Sequence, residues 1–338
     1  APFEPAIEAR HELAELAAKA NDAADRRRWL DELIAADAAA GTVRTDRSRL
    51  LAAGAALEIA RPLDSAARAV KLAAPLDRSL LTKKKALEAA LAGYGRAAEY
   101  GIARVTTEAS FAMADLYRHL GQSLMESERP GDLSAEELEQ YDLLLEEQAY
   151  PFEEKAIGIH EKNAGRAAAG VYDDWVKKSY AALAQMKPGR YARIESLEGA
   201  DATAATPPTI ADQFVAARES LEAERNEEAR EMLQAALQLD PTNPAGLNRL
   251  AIAERRLGRF TEARAAYERA IAADPAYAQP ERNLAVLLDL YIGEPAQALA
   301  HYERYQALSG ETDPQVAAWL VELRTRLGQV SRTAEVQP

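Results

Sequence analysis

The stretch LNRLAIAERRLGRFTEARAAYERAIAADP, residues 247–275, predicts two short helices packed against each other. Apolar and small residues recur in it at helical spacing in two arms, Leu247, Leu250, Ala251 and Leu257, then Ala263, Tyr267, Ala270 and Ile271. Gly258 separates the arms. Pro275 ends the second arm, because the residue before a proline, Asp274, is pushed out of the helical region. The small side chains let the arms cross closely, so the stretch predicts a helical hairpin.

The hairpin pattern recurs along the C-terminal part of the chain. Pro241 follows an Asp just as Pro275 does, at an interval of 34 residues (241 to 275). The preceding unit, 210–243, keeps the small and apolar positions in register but has Glu224 where glycine is usual. These two units therefore predict successive helix pairs of the same design.

A third unit begins at Ala278 and departs further from the pattern. Its GEP sequence at 293–295 adds one residue to the turn, and Tyr305 stands where an alanine is expected. The final stretch DPQVAAWLVELRTRL, 313–327, predicts a closing helix that covers the last exposed face, with Trp319 and Leu323 buried.

Together these units resemble the tetratricopeptide repeat (TPR) family, whose 34-residue pattern has glycine, alanine, aromatic, alanine and proline at these offsets. The resemblance implies an all-α fold, a TPR-type α-solenoid of antiparallel helix pairs. It covers residues 210–328, as three repeats plus a closing helix, and leaves 329–338 as a polar tail.

The N-terminal part predicts an irregular helical or TPR-like domain over residues 1–195. Helix-period patterns run through it without any alternating strand pattern, over about 8–38, 48–72, 82–100, 106–126, 134–163 and 170–186. Ser134 with Glu137 forms the sequence of a capping box at one helix start. The small, polar and proline-ended stretch 196–209 predicts a linker, and every lysine of the chain lies before it.

Composition limits the classes of function. The net charge is -13, which argues against a nucleic-acid partner because phosphate contacts need clustered Lys and Arg. The 338 residues contain no cysteine, which excludes disulfides, a thiol nucleophile and Cys-ligated zinc within this chain. No apolar stretch in the chain is long enough to span a bilayer.

Candidate catalytic features are few. GYGRAA at 93–98 fits a loose dinucleotide fingerprint, but the sequence before it is helical where such a site needs a strand. The four histidines, His11, His119, His160 and His301, have no partner at helical spacing, so no zinc site is expected. We therefore expect no cofactor, no metal and no enzymatic activity.

The TPR resemblance implies a groove lined by the first helix of each repeat. Its ligand-facing positions fall in this chain on Phe214, Arg218 and Leu221, then Asn248, Ile252, Arg255 and Arg256, then Arg282, Val286 and Asp289. Arginines beside apolar residues suit a peptide ligand, since arginine can bind carboxylates and carbonyls. The alternative is that they only solvate the groove or pair with neighbouring Glu. Ile252 stands where chaperone-type TPRs have an Asn, so a C-terminal carboxylate ligand is not expected.

A second resemblance covers residues 87–193, with ELEQYDLLLEEQAYPFEEKAIGIHEKN and VYDDWVKKSYAALAQMKPGRYAR, together with GEPAQALAHYERY. These phrases resemble bacterial envelope TPR proteins associated with TonB/ExbB/ExbD or Tol-like motor systems. The resemblance implies a periplasmic location, at or near the inner face of the outer membrane, and partners of those systems. We therefore expect a non-enzymatic scaffold for protein partners in the cell envelope. The alternative is an enzyme or carbohydrate-binding protein with a pocket in the N-terminal helical part and TPRs used for recruitment.

Overall fold

The structure is a computed structural model that describes residues 3–73, 75–131, 133–199, 208–310 and 313–335. Over these residues the chain is all-α, with no β-strand, as the sequence predicts. Its contacts divide it into two compact units. The first comprises residues up to Ala164 together with Asp173–Tyr180, and the second comprises Gly165–Tyr172 and residues from Ala181 onward.

The first unit is built from successive antiparallel helices. They are α1 (Phe3–Lys19), α2 (Ala23–Ala38), α3 (Asp46–Ala69), α4 (Leu76–Ala98), α5 (Ala103–Met125), α6 (Ala135–Ala164) and the start of α7 (Asp174–Met186). The helical pattern predicted over 8–38 corresponds to two helices, α1 and α2, and not to one continuous helix. Asn21 breaks it in the left-handed region at φ 56°, and the Asp22 side chain then caps α2.

Small residues let two helices of the first unit pack closely, and a capping box begins another of its helices. Gly93 on α4 lies so close to α3 that a Cβ there would be 3.0 Å from the Ala60 Cβ. The predicted capping box at the start of α6 forms, with the Ser134 amide donating to Glu137 Oε2 at 2.8 Å and the Glu137 amide donating to Ser134 Oγ at 3.3 Å.

The second unit contains the helix pairs of the predicted repeats. Its helices are α8 (Pro188–Tyr191), α9 (Pro208–Glu222), α10 (Asn226–Leu239), α11 (Pro244–Arg256), α12 (Phe260–Ala273), α13 (Gln279–Val286), α14 (Pro295–Ser309) and α15 (Pro314–Glu335), with a π-helical turn, Leu287–Ile292, following α13. The residues predicted to fill the crossing of α11 and α12 are fully buried, namely Ala251, Ala263, Tyr267 and Ala270. Trp319 and Leu323 of the closing helix α15 are buried as predicted.

The turns between these helices explain the repeat signature. Asp240 and Asp274 leave the helical region before their prolines, with φ and ψ of -132° and 75° and of -143° and 94°. Gly258 ends the first helix of its pair at φ 81°, a conformation that favours glycine. Glu224 occupies the same turn position one repeat earlier at φ 59°, so a non-glycine residue there adopts the left-handed conformation.

The extra residue of the third repeat is taken up inside a helix. The predicted longer turn at 293–295 is instead a π-helical turn at Leu287–Ile292, which Gly293 ends at φ 81°. A π turn accommodates one additional residue in a helix and re-aims the side chains that it carries. Among them are Asp289 and Tyr291.

No helix among the described residues is long and apolar enough to cross a membrane.

Candidate peptide-binding groove of the C-terminal unit

The chain's own residues 193–199, RIESLEG, lie extended along the first helices of the repeats. We call these residues the groove segment. Arg193 and Glu195 are each only 6 % exposed, whereas Ile194 between them is 75 % exposed. This alternation is what an extended chain produces when one edge faces a surface. The groove segment is therefore bound to the repeats in the manner of a peptide.

Two asparagines hold the backbone of the groove segment at its centre. The Ser196 amide donates to Asn283 Oδ1 at 2.8 Å, and the Ser196 carbonyl accepts from Asn283 Nδ2 at 2.8 Å and from Asn248 Nδ2 at 3.2 Å. Asn283 Nδ2 also donates to Asn248 Oδ1 at 3.0 Å. These hydrogen bonds go to the backbone amide and carbonyl, so they fix the direction of the chain and do not depend on the side chain at position 196.

Glu195 is bound in a buried site on α11 and α12. Arg255 Nε donates to Glu195 Oε2 at 2.9 Å, and the Tyr267 hydroxyl donates to Glu195 Oε1 at 2.8 Å. The Arg255 guanidinium also lies over the Tyr291 ring, 5.1 Å from its centroid. Burial and then the charge of Glu195 raise the pKa of Tyr267 well above its usual value, so its hydroxyl stays protonated as a donor. The site selects a carboxylate.

Arg193, at the N-terminal end of the groove segment, is bound in a site made of acidic and aromatic side chains. Its guanidinium pairs with Asp289 of the π turn, and its Nη2 donates to Glu322 Oε2 at 2.6 Å. The rings of Tyr302 and Trp319 lie 5.7 Å and 5.4 Å from its guanidinium carbon. This site selects a cation that can fork between two carboxylates.

The C-terminal end of the groove segment is held by its carbonyls. Arg249 donates from Nε to the Leu197 carbonyl at 3.3 Å and from Nη2 to the Gly199 carbonyl at 2.9 Å. Gly199 has φ 143°, and a Cβ there would lie 2.3 Å from the Tyr277 hydroxyl and 3.0 Å from the Ala245 Cβ. Only glycine fits this close approach.

An open groove of about 550 Å³ runs beside the groove segment. Besides the segment itself, it is lined by Arg218, Glu222, Arg249 and Arg282. Arg218 Nε lies 3.8 Å from Glu222 Oε1, and the Arg282 guanidinium lies 5.2 Å from the centre of the Trp319 ring. Polar surface therefore remains open to solvent next to the bound segment.

Nine of the ten groove residues predicted from the sequence fall into three groups, and the tenth, Arg256, donates from Nη1 to the Leu221 carbonyl at 2.7 Å. Those that contact the groove segment are Asn248, Arg255 and Asp289. Those that line the open groove beside it are Arg218 and Arg282. Those that are buried, at 0 to 1 % exposure, are Phe214, Leu221, Ile252 and Val286. Phe214 packs where a Cβ on Gly246 of α11 would lie only 2.4 Å from its ring.

Asn283, Arg249 and Tyr267 also contact the groove segment, and the family positions do not predict them. Asn283 was missed because the prediction used a strict 34-residue interval, which leads from Asn248 to Arg282. The structure instead pairs Asn248 with Asn283, which lies 35 residues further along the chain. The sequence did contain a signal for Asn283: it is a second asparagine that lies 35 residues after Asn248, one residue more than the repeat length.

The first unit has a separate pocket of about 500 Å³ between α2, α3 and α4. Its floor includes Ile34, Ala56 and Ile59, and charged side chains surround it, namely Arg27, Asp31, Arg44, Arg49, Arg96 and Glu99. Most of these arginines already form ion pairs or hydrogen bonds with other residues of the first unit. Arg27 Nε is 2.6 Å from Asp31 Oδ2, and Arg49 Nη2 donates to the Tyr100 carbonyl at 2.9 Å.

The sequence GYGRAA at 93–98 is not a nucleotide-binding loop, because it lies inside α4 and Gly93 serves helix packing there. Among the histidines, His160 Nδ1 lies 3.3 Å from Ser179 Oγ, a pairing that resembles a base and its nucleophile. Both residues are 0 % exposed, so no substrate reaches them. The described residues hold no group of three His, Asp or Glu side chains arranged for a metal ion.

Comparison with known families identifies the repeats. Residues 214–278 match the family model described as Tetratricopeptide repeat. This match runs from within α9 to just beyond the end of α12, and it includes Asn248, Arg249 and Arg255 of the groove. No curated protein matches the chain.

Solved TPR structures are similar to the chain at low identity. The Sgt2 TPR domain from Aspergillus fumigatus is 19 % identical, with a TM-score of 0.37 over 43 % of this chain and 92 % of that one. The TPR2AB domain of yeast Sti1, in complex with pHSP90, is 16 % identical, with a TM-score of 0.32 over 94 % of this chain and 97 % of that one. The P58(IPK) TPR domain is 13 % identical, with a TM-score of 0.33 over 96 % and 99 %.

Proposed function

We propose that the protein is a non-enzymatic interaction scaffold whose C-terminal TPR groove binds extended segments of partner proteins. The observation that carries the proposal is the double contact of Asn248 and Asn283 with the backbone of Ser196. Side-chain amides that bond a main-chain carbonyl and amide at once recognise an extended chain of any composition. The adjoining sites for Glu195 and Arg193 then add selectivity for side chains.

A pull-down with three baits tests this function. The baits are the full chain, the groove variant Asn248→Ala/Asn283→Ala, and a control variant Arg264→Ala/Arg269→Ala on α12, whose arginines bond away from the groove segment. Partners bound in the groove are captured by the full chain and by the control but lost from the groove variant. Capture of the same partners by all three baits would overturn the proposal.

The proposal locates this scaffold in the bacterial cell envelope. It rests on the resemblance of residues 87–193 to envelope TPR proteins, which implies a periplasmic location and partners of the TonB/ExbB/ExbD or Tol type. Fractionation of the source bacterium tests it: the chain should be released with periplasmic marker proteins. Recovery with a cytosolic marker would contradict the location while leaving the groove proposal intact.

A second candidate function is supported by the pocket of the first unit. Its apolar floor and arginine rim suit a small anion with an apolar or sugar body, which is the carbohydrate-binding alternative of the sequence analysis. Arg96 makes no hydrogen bond or ion pair with the described residues and is the arginine available to such a ligand. Calorimetric titration with glucuronate and with glucose tests this: heat from glucuronate alone, reduced in Arg96→Ala, supports it, and no heat from either sugar excludes this ligand class.

A further inference from the structure

The groove segment has the features of a ligand and not those of a core element. Within 192–199 no apolar residue is buried, since Ile194 is exposed and Leu197 is only half-buried. The contacts of the segment with the repeats that are described above are hydrogen bonds, ion pairs and the approach of the Arg193 guanidinium to the rings of Tyr302 and Trp319. By contrast, the helix pairs have an apolar core of their own around Ala251, Ala263 and Tyr267. Release of the segment therefore leaves that core packed.

From these contacts we infer that residues 193–199 are an internal competitor, which a partner segment of similar chemistry must displace. The inference rests on the proposed function of the groove. The partner presents a cationic residue, a carboxylate two residues later and a small residue after that, as Arg193, Glu195 and Ser196 do. It binds in the same direction, with its backbone hydrogen-bonded to the side chains of Asn248 and Asn283.

The charge pattern of the groove fixes this ligand class. The two specificity sites have opposite sign, with Asp289 and Glu322 around the cation and Arg255 around the carboxylate. The side chains of Asp289 and Glu195 are 0 % and 1 % exposed, so a carboxylate in place of Arg193, or a cation in place of Glu195, would bring like charges together in a buried site. Asp289 and Glu322 also pair with Arg326, which leaves two carboxylates to one cation when Arg193 is released. A segment with the two charges exchanged meets like charge at both sites and is rejected.

The tether sets how strongly the segment competes. Because the groove segment belongs to the same chain as the repeats, it acts at an effective concentration on the order of millimolar, as short linkers give. An external ligand gains access only to the fraction of molecules in which the segment has left, and its apparent affinity falls by that fraction. The open groove beside the segment, with Arg218 and Arg282, offers an incoming chain a first contact.

Binding of a fluorescent peptide with the sequence YARIESLEG tests the inference by anisotropy. The control peptide, YAEIRSLEG, has the same composition but exchanges the residues that correspond to Arg193 and Glu195. The proteins are the full chain, a released variant, Arg193→Ser/Glu195→Ser, and the same variant with Asn248→Ala/Asn283→Ala added. We expect the released variant to bind the peptide at least about tenfold more tightly than the full chain, and the control peptide to bind neither.

The outcomes separate the two proposals. If the released variant is folded by circular dichroism and does not bind the peptide, the groove does not take extended segments and the proposed function fails. If the full chain and the released variant bind equally, and the added asparagine changes abolish binding, the groove function stands but the internal competitor is overturned.

A measurement on the unaltered chain covers the case in which the released variant does not fold. Excess peptide should speed the hydrogen exchange of the Ser196 amide, which donates to Asn283, while the amides of α12 remain protected. Unchanged exchange at Ser196 while the peptide is bound would overturn displacement.

Discussion

At the scale of single residues, the groove shows how far family positions can be carried onto a new sequence. Asn248, Arg255 and Asp289 were chosen from those positions, and each contacts the groove segment. Their ligand was not predictable in the same way. Glu195 lies 60 residues from Arg255 along the chain, and nothing local in the sequence reports that pairing. The stretch from Ser196 onward has the composition of a linker, and composition does not encode a docking site.

Glu224 offers a residue-scale test of the repeat turns. Its left-handed conformation at φ 59° costs a non-glycine residue about 1 kcal/mol, a cost that glycine avoids. Part of the gain is offset because glycine adds freedom to the unfolded chain. We therefore expect Glu224→Gly to raise the unfolding free energy of the C-terminal unit by about 0.5–1 kcal/mol. Urea denaturation measures this, and a destabilised variant would contradict the turn geometry.

His160 gives the first unit a dependence on pH. Burial lowers the pKa of His160 to about 4; the charge of Asp115 raises it by a smaller amount, and the charge of Arg118 lowers it further. A group with a lowered folded pKa stabilises the fold fully above its unfolded pKa, near 6.5, and that stability is lost as pH falls toward 4. We expect a loss of a few kcal/mol over this interval.

The variant His160→Gln removes this titration and keeps a polar group that can bond Ser179. Unfolding followed from pH 7 to pH 4 should then show a flatter profile than the unaltered chain. Parallel profiles for the two proteins would mean that His160 does not titrate on unfolding.

At the scale of elements, helix periodicity and the Asp-Pro steps were sufficient to predict the helix pairs. The exceptions have local causes that a period search averages away. Asn21 splits the run over 8–38 through a single left-handed residue. The π turn at Leu287–Ile292 absorbs an extra residue that the sequence suggested for the turn at 293–295. A periodicity search detects an inserted residue but cannot tell whether a helix or a turn accommodates it.

The crossing of α11 and α12 is the element-scale test. Ala263 is fully buried there, and an indole has no space, so Ala263→Trp should destabilise the C-terminal unit by about 1–3 kcal/mol. The matched control is Glu262→Trp, which places the same side chain at the exposed neighbouring position on α12. Thermal unfolding compares them, and equal transition temperatures for the two variants would show that the repeat register is wrong.

At the scale of the whole molecule, the chain joins two all-α units, of which the second contains the residues that match the TPR family model, 214–278, and binds a segment of the same chain. Composition and repeat pattern were enough to predict an all-α interaction protein. They could not show that the groove is already occupied, because a docking contact depends on distant residues meeting in three dimensions. Occupancy is the central claim, since both proposals depend on residues 193–199 being seated on the repeats.

A double-mutant cycle on Glu195 and Arg255 tests that claim most directly. Trp319 of α15 reports on the C-terminal unit once Trp29 and Trp175 are replaced by Phe, because these are the other two tryptophans of the chain. In this background, the free energies of unfolding of Glu195→Ala, Arg255→Ala and the double variant are measured by urea denaturation. The account predicts a coupling energy of at least about 1.5 kcal/mol, as expected for a buried, hydrogen-bonded charge pair. Additive effects within about 0.5 kcal/mol, typical of residues that do not touch, would contradict it.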